Sequence, residues 1–320
     1  MRYGFAVKVL GDGGLPSHDT RKWQNEPDLG VSIRMLYDIL DYLKRKNIRM
    51  YRISSDFVPY GTHPDMPQFH RQIDRYRKEL AELGSQAEKH DIRLSLHPSQ
   101  YVVLNAEDEA VAKKAAADLM QQAELLDAME QGPEAVVVTH VGGEYKNKDS
   151  SIARFITRWH LLGEPARRRM VVENDERLFT VDDTLKIHES TGSRLVFDYQ
   201  HYMLNPGKRS MKDALRACIA TWPDGVMSKI HFSSPRTELR ELQRKSPLTG
   251  KKESVYQPPL LSQHADYINP LEFLLFADAV GGLSFDVMLE AKAKDLALLE
   301  LRRFFRMRGR EDLVDIPIYT

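Results

Sequence analysis

Along this chain, short apolar runs of β-type residues repeatedly end on a side chain that can ionise or ligate. Leu-Ser-Leu runs into His97, Val-Val-Val-Thr into His140, and Val-Val into Glu173, with Asn174 and Asp175 behind it. Val-Phe runs into Asp198, with His201 three residues on; Lys229-Ile leads to His231; Val-Met-Leu leads to Glu290. His63 follows the second apolar run at the end of its loop, and His264 lies near the end of the loop after the seventh. Taken singly, a strand-end histidine is commonly a satisfied structural residue, and a strand-end carboxylate is often a helix cap or an ion-pair partner. Burying an ionisable group is costly unless it is paired or binds a metal. Six consecutive runs ending this way are hard to explain by packing alone.

The donor set defines the chemistry. Glu173, Asp198 and Glu290 offer hard oxygens; His63, His97, His140, His201, His231 and His264 offer imidazoles. That mixture suits Mn²⁺, Zn²⁺ or Fe²⁺ better than Ca²⁺ or Mg²⁺, which prefer all-oxygen shells. Nine candidates exceed the needs of one ion, so two or three divalent cations are expected, Mn²⁺ first, with Zn²⁺ and Mg²⁺ as alternatives. Ions held roughly 4 Å apart are a recurrent device for in-line attack on phosphate esters. Lys229 stands two residues before His231, so both face the same side of one strand. A lysine there is a neutral base, a carboxylated ligand, or an ion-pair partner of Glu290 or Asp198. The remaining histidines, His18, His70, His90, His160 and His188, read as surface residues.

These side chains need elements to bring them together. The β-type runs cover 3–7, 50–55, 93–97, 135–140, 170–174, 194–199, 228–233 and 285–292. Amphipathic helical patterns fill the gaps at 31–46, 68–90, 108–130, 150–162, 181–190, 210–221, 270–280 and 293–307. Eight alternating βα units predict an α/β fold, a closed (β/α)8 TIM barrel. An open doubly wound sheet is the competitor, but Gly11, Gly13 and Gly14 only loosely imitate its glycine-rich turn. Long loops at 8–30 and 234–269 follow strands 1 and 7, on the face where barrels carry their active sites. One domain over 1–310 and a tail over 311–320 are expected.

Composition bounds the partners. Lys plus Arg equals Asp plus Glu at 46 each, so no global basic field exists and a nucleic-acid partner needs a local patch. Two are available. Residues 236–253 carry Arg236, Arg240, Arg244, Lys245, Lys251 and Lys252 against Glu238, Glu241 and Glu253, and the loop after the fourth strand carries Lys146 and Lys148. The arginines from Arg302 to Arg310 read as solvated or ion-paired. The single cysteine, Cys218, excludes a disulfide framework and a cysteine zinc site. No apolar run approaches the roughly 18 residues of a membrane span, and no signal-peptide pattern opens the chain. A soluble, cytoplasmic monomer is the expectation.

Several strings together resemble the UV damage endonuclease family. They are Tyr-Arg-Ile-Ser-Ser (51–55), Thr-His-Pro (62–64), Leu-His-Pro-Ser-Gln-Tyr (96–101), Thr-His-Val-Gly-Gly (139–143), Glu-Asn-Asp-Glu (173–176), Asp-Tyr-Gln-His (198–201), Lys-Ile-His (229–231), Gln-His-Ala-Asp-Tyr (263–267) and Leu-Glu-Ala-Lys (289–292). The likeness runs from about residue 2 to about residue 300. It implies a barrel related to the endonuclease IV type and a three-ion, manganese-type site on His63, His97, His140, Glu173, Asp198, His201, His231, His264 and Glu290. It places Lys229 at the position of the family's modified lysine, with Lys229, His231 and Glu173 in catalysis. The implied reaction nicks DNA immediately 5′ to a UV photoproduct (a cyclobutane pyrimidine dimer or a 6-4 photoproduct) or to an abasic site, leaving a 3′-hydroxyl and a 5′-phosphate and starting an alternative excision repair. Gln100 and Tyr101 match the family's lesion-probing pair. Phe5, Lys146, Arg244 and Lys245 are further expected DNA contacts. One departure stands out: Gly4-Phe5 is kept, but Val9 occupies the position where relatives carry Asn.

Two other readings compete. A metal-dependent sugar isomerase or epimerase uses similar strand-end residues on a similar barrel, but around fewer ions and without a basic insert. A non-catalytic metal-stabilised scaffold would close its site rather than rim it with loops.

Overall fold

The structure, a computed structural model, describes residues 1–314. Eight parallel strands close on themselves in the order β1-β12-β7-β6-β5-β4-β3-β2. They are β1 (Tyr3–Ala6), β2 (Met50–Arg52), β3 (Arg93–Leu96), β4 (Val136–His140), β5 (Met170–Glu173), β6 (Arg194–Asp198), β7 (Lys229–Phe232) and β12 (Asp286–Leu289). Between β7 and β12 lie β8 (Pro235–Arg236), β9 (Arg240–Lys245), β10 (Lys252–Gln257) and β11 (Leu260–His264). The helices are α1 (Leu29–Arg45), α2 (Gln72–Arg75), α3 (Arg77–Lys89), α4 (Glu109–Ala128), α5 (Lys148–Leu161), α6 (Glu164–Arg169), α7 (Val181–Thr191), α8 (Tyr199–Leu204), α9 (Met211–Ala220), α10 (Pro270–Ala279) and α11 (Lys294–Arg306). The TIM-barrel expectation holds, and each of the eight expected β runs contains a barrel strand.

Local chemistry starts the helices where the barrel needs them. Asp28, Asp108, Asn147 and Asn269 each accept a hydrogen bond from a backbone N–H in the first turn of α1, α4, α5 and α10. Thr180 and Asp183 form a reciprocal capping box on α7. Alternation along the strands separates two apolar layers. Val137 and Val172 join the large cluster between barrel and helices, whereas Val136, Val138, Val171 and Val196 pack with Trp222 in a second, smaller one. By the same alternation His140, Glu173 and Asp198 share the inward side with that second layer, which lies beneath them as a dry floor.

Three expectations need correction. The segment 234–269 is not an irregular loop: β9 and β10 form an antiparallel hairpin, and β11 pairs with β8 at its root. The hairpin escapes a hydrophobic-period reading because its residues are largely exposed on both faces. Two short helices, α6 and α8, also lack a periodic signal, being six residues each. Arg302 is not solvated: it is buried, and its guanidinium donates to the carbonyls of Lys46, Asn47 and Val314. Among the other histidines read as surface, only His160 is exposed; His18, His70, His90 and His188 are half-buried. Of the expected 311–320 tail, residues 315–320 lie outside the described residues; Val314 is buried and Leu313 accepts from the Tyr3 hydroxyl.

Candidate functional site

Strand register does the first part of the assembly. His140 is the Cα partner of Glu173 across β4 and β5, and Asp198 is the partner of His231 across β6 and β7. His97 and Glu290 follow directly on β3 and β12. Asp198 caps α8 by accepting from the His201 backbone N–H at 2.8 Å, which brings the first turn of that helix to the same rim. Glu173 sits at the centre. One carboxylate oxygen lies 2.7 Å from His97 Nε2 and 3.0 Å from His140 Nε2, and the other lies 2.6 Å from His231 Nδ1. His97, His140 and Glu173 form one group of converging ligand atoms; Glu173, Asp198 and His231 form a second that shares the same carboxylate.

Three histidines have their tautomer set by the backbone. His97 Nδ1 donates to the Pro98 carbonyl, His201 Nδ1 to that of Asn174, and His264 Nδ1 to that of Glu290, at 2.9, 3.0 and 2.6 Å. Each therefore presents Nε2 as its lone-pair nitrogen, the arrangement found behind metal-bound imidazoles. His264 Nε2 lies 3.8 Å from Glu290 Oε2, and His201 Nε2 lies 3.8 Å from Glu176 Oε2. His231 differs: the Arg52 guanidinium donates to its Nε2 at 2.9 Å, so Nδ1 is the atom aimed at the carboxylates. A cation bound at Nδ1 would take the place of a proton there.

The charges do not balance locally. Glu173 and Asp198 are fully buried, and Glu290 is partly buried at the rim. Burial pushes Asp198 up to about 6; His201 opposes the shift, and repulsion from Glu290 and Glu173 adds to it. Burial alone would raise Glu173 too, but His140, His231 and His97 hold it well below the usual carboxylate range. Glu290 is likewise held low against burial, by Arg52 first and then His231 and His264. His201 loses by burial but gains more from Asp198, Glu173 and Glu290, and rises to about 9. His231, fully buried beside Arg52, falls to about 3 despite the nearby carboxylates. His140 rises, because Glu173 outweighs burial.

Two buried polar atoms of the pocket, His140 Nδ1 and Asp198 Oδ2, have no hydrogen-bond partner, whereas Glu173 Oε2 faces His231 Nδ1 and Glu290 Oε1 meets Arg52. An unsatisfied buried polar atom costs about 1–3 kcal/mol, more when charged. Two beside a cluster of converging carboxylates and imidazoles leave ligand capacity that the protein does not fill, and the donor set is the one divalent transition metals use. The residues present therefore fit divalent cations.

Lys229 is buried, and its Nζ donates to Ser95 Oγ at 3.2 Å rather than to a carboxylate. Burial, with Arg52 and Arg93 nearby, pushes its ammonium well below the lysine range, toward a neutral amine. His63 stands apart. It is half-buried, packs edge-on to Tyr60, and lines a neighbouring cavity of about 610 Å³ with His18, Asp56, Ser99 and Asp118. Phe5 is a correction: it is 0% exposed, points outward from the barrel toward the helices, and packs edge-on to Tyr51, so it cannot contact DNA. Val9, in the position of the expected Asn, is buried as well. Gln100 is exposed and Tyr101 is 79% exposed, on the loop after β3. Lys146 is exposed after β4, whereas Lys148 is engaged with Asp183 at 3.1 Å. Arg244 and Lys245 are exposed on β9.

Sequence reasoning missed Arg52 and Asn174. Arg52 forms a buried ion pair with Glu290 and touches His231, and its one signal was an arginine inside an apolar strand. Asn174 clamps Asp198, accepting from its N–H and donating to its carbonyl.

The chain matches the UV-endonuclease UvdE family over residues 19–317. It is a member of that family. The match runs past residue 311, where the tail was expected to begin, so the family's extent includes most of it. Curated relatives named UV DNA damage endonuclease include one from Bacillus velezensis, 32% identical over 266 residues, covering 82% of this chain and 76% of its own. Another, from Bacillus mycoides, is 32% identical over 267 residues, with coverage of 82% and 77%. The crystal structure of SacUVDE overlays with a TM-score of 0.80 at 28% identity, covering 97% of this chain and 99% of that one. D-psicose 3-epimerase from Clostridium cellulolyticum overlays with a TM-score of 0.52 at 14% identity, covering 91% and 85%, which shows a shared fold. As a UvdE-family chain the protein is an endonuclease acting on DNA.

Proposed function

We propose that the chain is a divalent-metal-dependent DNA repair endonuclease that hydrolyses the phosphodiester immediately 5′ to UV photoproducts, and to abasic sites as well, leaving a 3′-hydroxyl and a 5′-phosphate. The observation that carries this reading is the pocket in which imidazoles and carboxylates converge as two ligand groups sharing Glu173, with His140 Nδ1 and Asp198 Oδ2 left without a protein partner. Divalent cations bound there, Mn²⁺ foremost, would neutralise charge building on the phosphate and lower the pKa of water. His97, His140, Glu173, Asp198, His201, His231, His264 and Glu290 would hold them, and His63 joins only if its loop moves inward. Arg52 positions Glu290 and His231 by its double contact. Lys229, with its amine pushed toward the neutral form, sits below His231 as a proton acceptor or a modified ligand.

Damaged steps are poorly stacked, so opening them costs less than opening intact duplex. Tyr101 and Gln100 stand exposed beside His97, suited to replace the stacking and pairing that the lesion lacks. The cytoplasm and a monomeric state are part of the same proposal. The test is supercoiled plasmid, irradiated or not, incubated with protein and Mn²⁺. Nicking of irradiated plasmid alone, abolished by EDTA, is the expected result. An intact irradiated plasmid together with epimerisation of a free ketose would overturn it in favour of the sugar enzyme.

A further inference from the structure

The hairpin β9–β10 is the largest element for which the metal pocket gives no explanation. Its root is the pocket itself: β8 begins four residues after His231, and β11 ends at His264, which pairs with Pro235. Arg236, fully buried, pins that root by donating to the carbonyls of Glu238 and Pro258 and to Gln257 Oε1. Six residues per strand give the ribbon a reach of roughly 20 Å, about six base pairs of duplex at 3.4 Å each.

Register sorts its charges into two unlike faces. Opposed residues of an antiparallel pair share a face. One face carries Arg244 opposite Glu253, Leu242 opposite Val255, and Arg240 opposite Gln257. Arg240 pairs with Asp266 at 3.1 Å, and Arg244 faces Glu253 across the ladder without forming an ion pair among the described residues. The other face carries Lys245 directly opposite Lys252, then Gln243 opposite Ser254, hydrogen-bonded at 2.6 Å, then Tyr256 opposite Glu241. Both lysines are exposed, and neither has an ion-pair partner among the described residues. Like charges placed directly across a ladder destabilise it. Glu241, the one acid on that face, stands four residues from Lys245, at the root end. The arrangement suits a polyanion laid along the lysine side.

We propose that the hairpin binds the DNA sugar-phosphate backbone with this one face, through Lys245 and Lys252 at its far end, and that Arg244 and Arg240 serve the ribbon's own folding. The inference rests on the endonuclease reading above and narrows it, because it removes Arg244 from the DNA contacts. Phosphate contacts carry no lesion information. The lysine pair therefore supplies affinity for damaged and intact duplex alike, leaving discrimination to the loop after β3.

The competing role for lysines on an exposed ribbon is to prevent edge-to-edge pairing. That role predicts an aggregating variant with unchanged DNA affinity. The test uses the full chain with a fixed low Mn²⁺ concentration and an irradiated duplex. Wild type, K245Q/K252Q and R244Q are compared by nicking kcat and KM between 50 and 200 mM KCl. Each lost phosphate contact lowers the slope of log affinity against log salt by roughly 0.9. The double variant should therefore lose about 1.8 of slope, so that over this fourfold salt range wild type weakens roughly 12-fold more than the variant. Its kcat should be unchanged, its thermal midpoint no lower, and binding to unirradiated duplex weakened equally; R244Q should keep the wild-type slope. Equal slopes for wild type and the double variant, with wild type nicking normally, would overturn the hairpin proposal alone. A wild-type protein that leaves irradiated DNA intact would overturn the endonuclease reading and this inference with it.

Discussion

Glu173 holds three imidazoles within 3.0 Å, more ionisable neighbours at that range than any other pocket side chain among the described residues. Its carboxylate is shared by both ligand groups. Glu173→Gln keeps the shape and removes the charge, and it should lower nicking by at least about 100-fold. Duplex affinity, which comes from phosphate contacts elsewhere, should stay within about threefold; a filter-binding assay beside the nicking assay separates the two. The pocket's protons predict a pH trend. His201, raised to about 9, and Asp198, raised to about 6, hold protons that a cation must displace. Affinity for Mn²⁺ should therefore rise as pH goes from about 6 toward 9, with proton release measurable by titration calorimetry in buffers of different ionisation enthalpy. Falling affinity over that range would exclude these two groups as ligands. Tyr101→Ala should cut the preference for damaged over intact duplex about 5- to 150-fold, the range given by roughly 1–3 kcal/mol of stacking per base. The His97, Glu173 and Glu290 positions were legible from their place at the end of apolar runs. Arg52 was not, because a charged residue within a three-residue strand carries no period.

At the scale of elements, the segment after β1 is held to the last helix by a buried carboxylate. Asp295, 0% exposed in the first turn of α11, accepts from the backbone N–H groups of Leu10 and Gly11 at 2.7 and 2.9 Å and from the Tyr42 hydroxyl at 2.5 Å. Asp295→Asn removes the charge from all three bonds and places an amide against donors. It should cost about 2–3 kcal/mol, read as a lower urea midpoint with unchanged m-value. The helix and strand boundaries near caps were legible, since Thr180-x-x-Asp183 announces α7 by residue type alone. The β9–β10 hairpin was not, because neither of its faces is buried and alternation in the sequence records burial.

Closing the barrel depends on groups remote from the rim. At the opposite end Asp286, 1% exposed, receives the Arg93 guanidinium at 2.9 Å, and the Arg2 backbone N–H and side chain at 2.7 and 2.9 Å. Asp286 joins β12 to β1 and β3, where the ring of strands must meet. Asp286→Ala strands the fully buried Arg93 and should cost about 3–5 kcal/mol, seen as a lower thermal midpoint, with nicking per folded molecule changed far less. The barrel strands, their alternation with helices and the residue types at their ends were readable from the chain alone, because periodicity and strand-end chemistry are local properties. Which of those residues meet was left to the folded molecule. Register set His140 beside Glu173 and Asp198 beside His231, alternation turned Phe5 away from the rim, and His63 was left at a neighbouring cavity. Distances between side chains on different strands follow from ring closure and shear, which no single segment encodes.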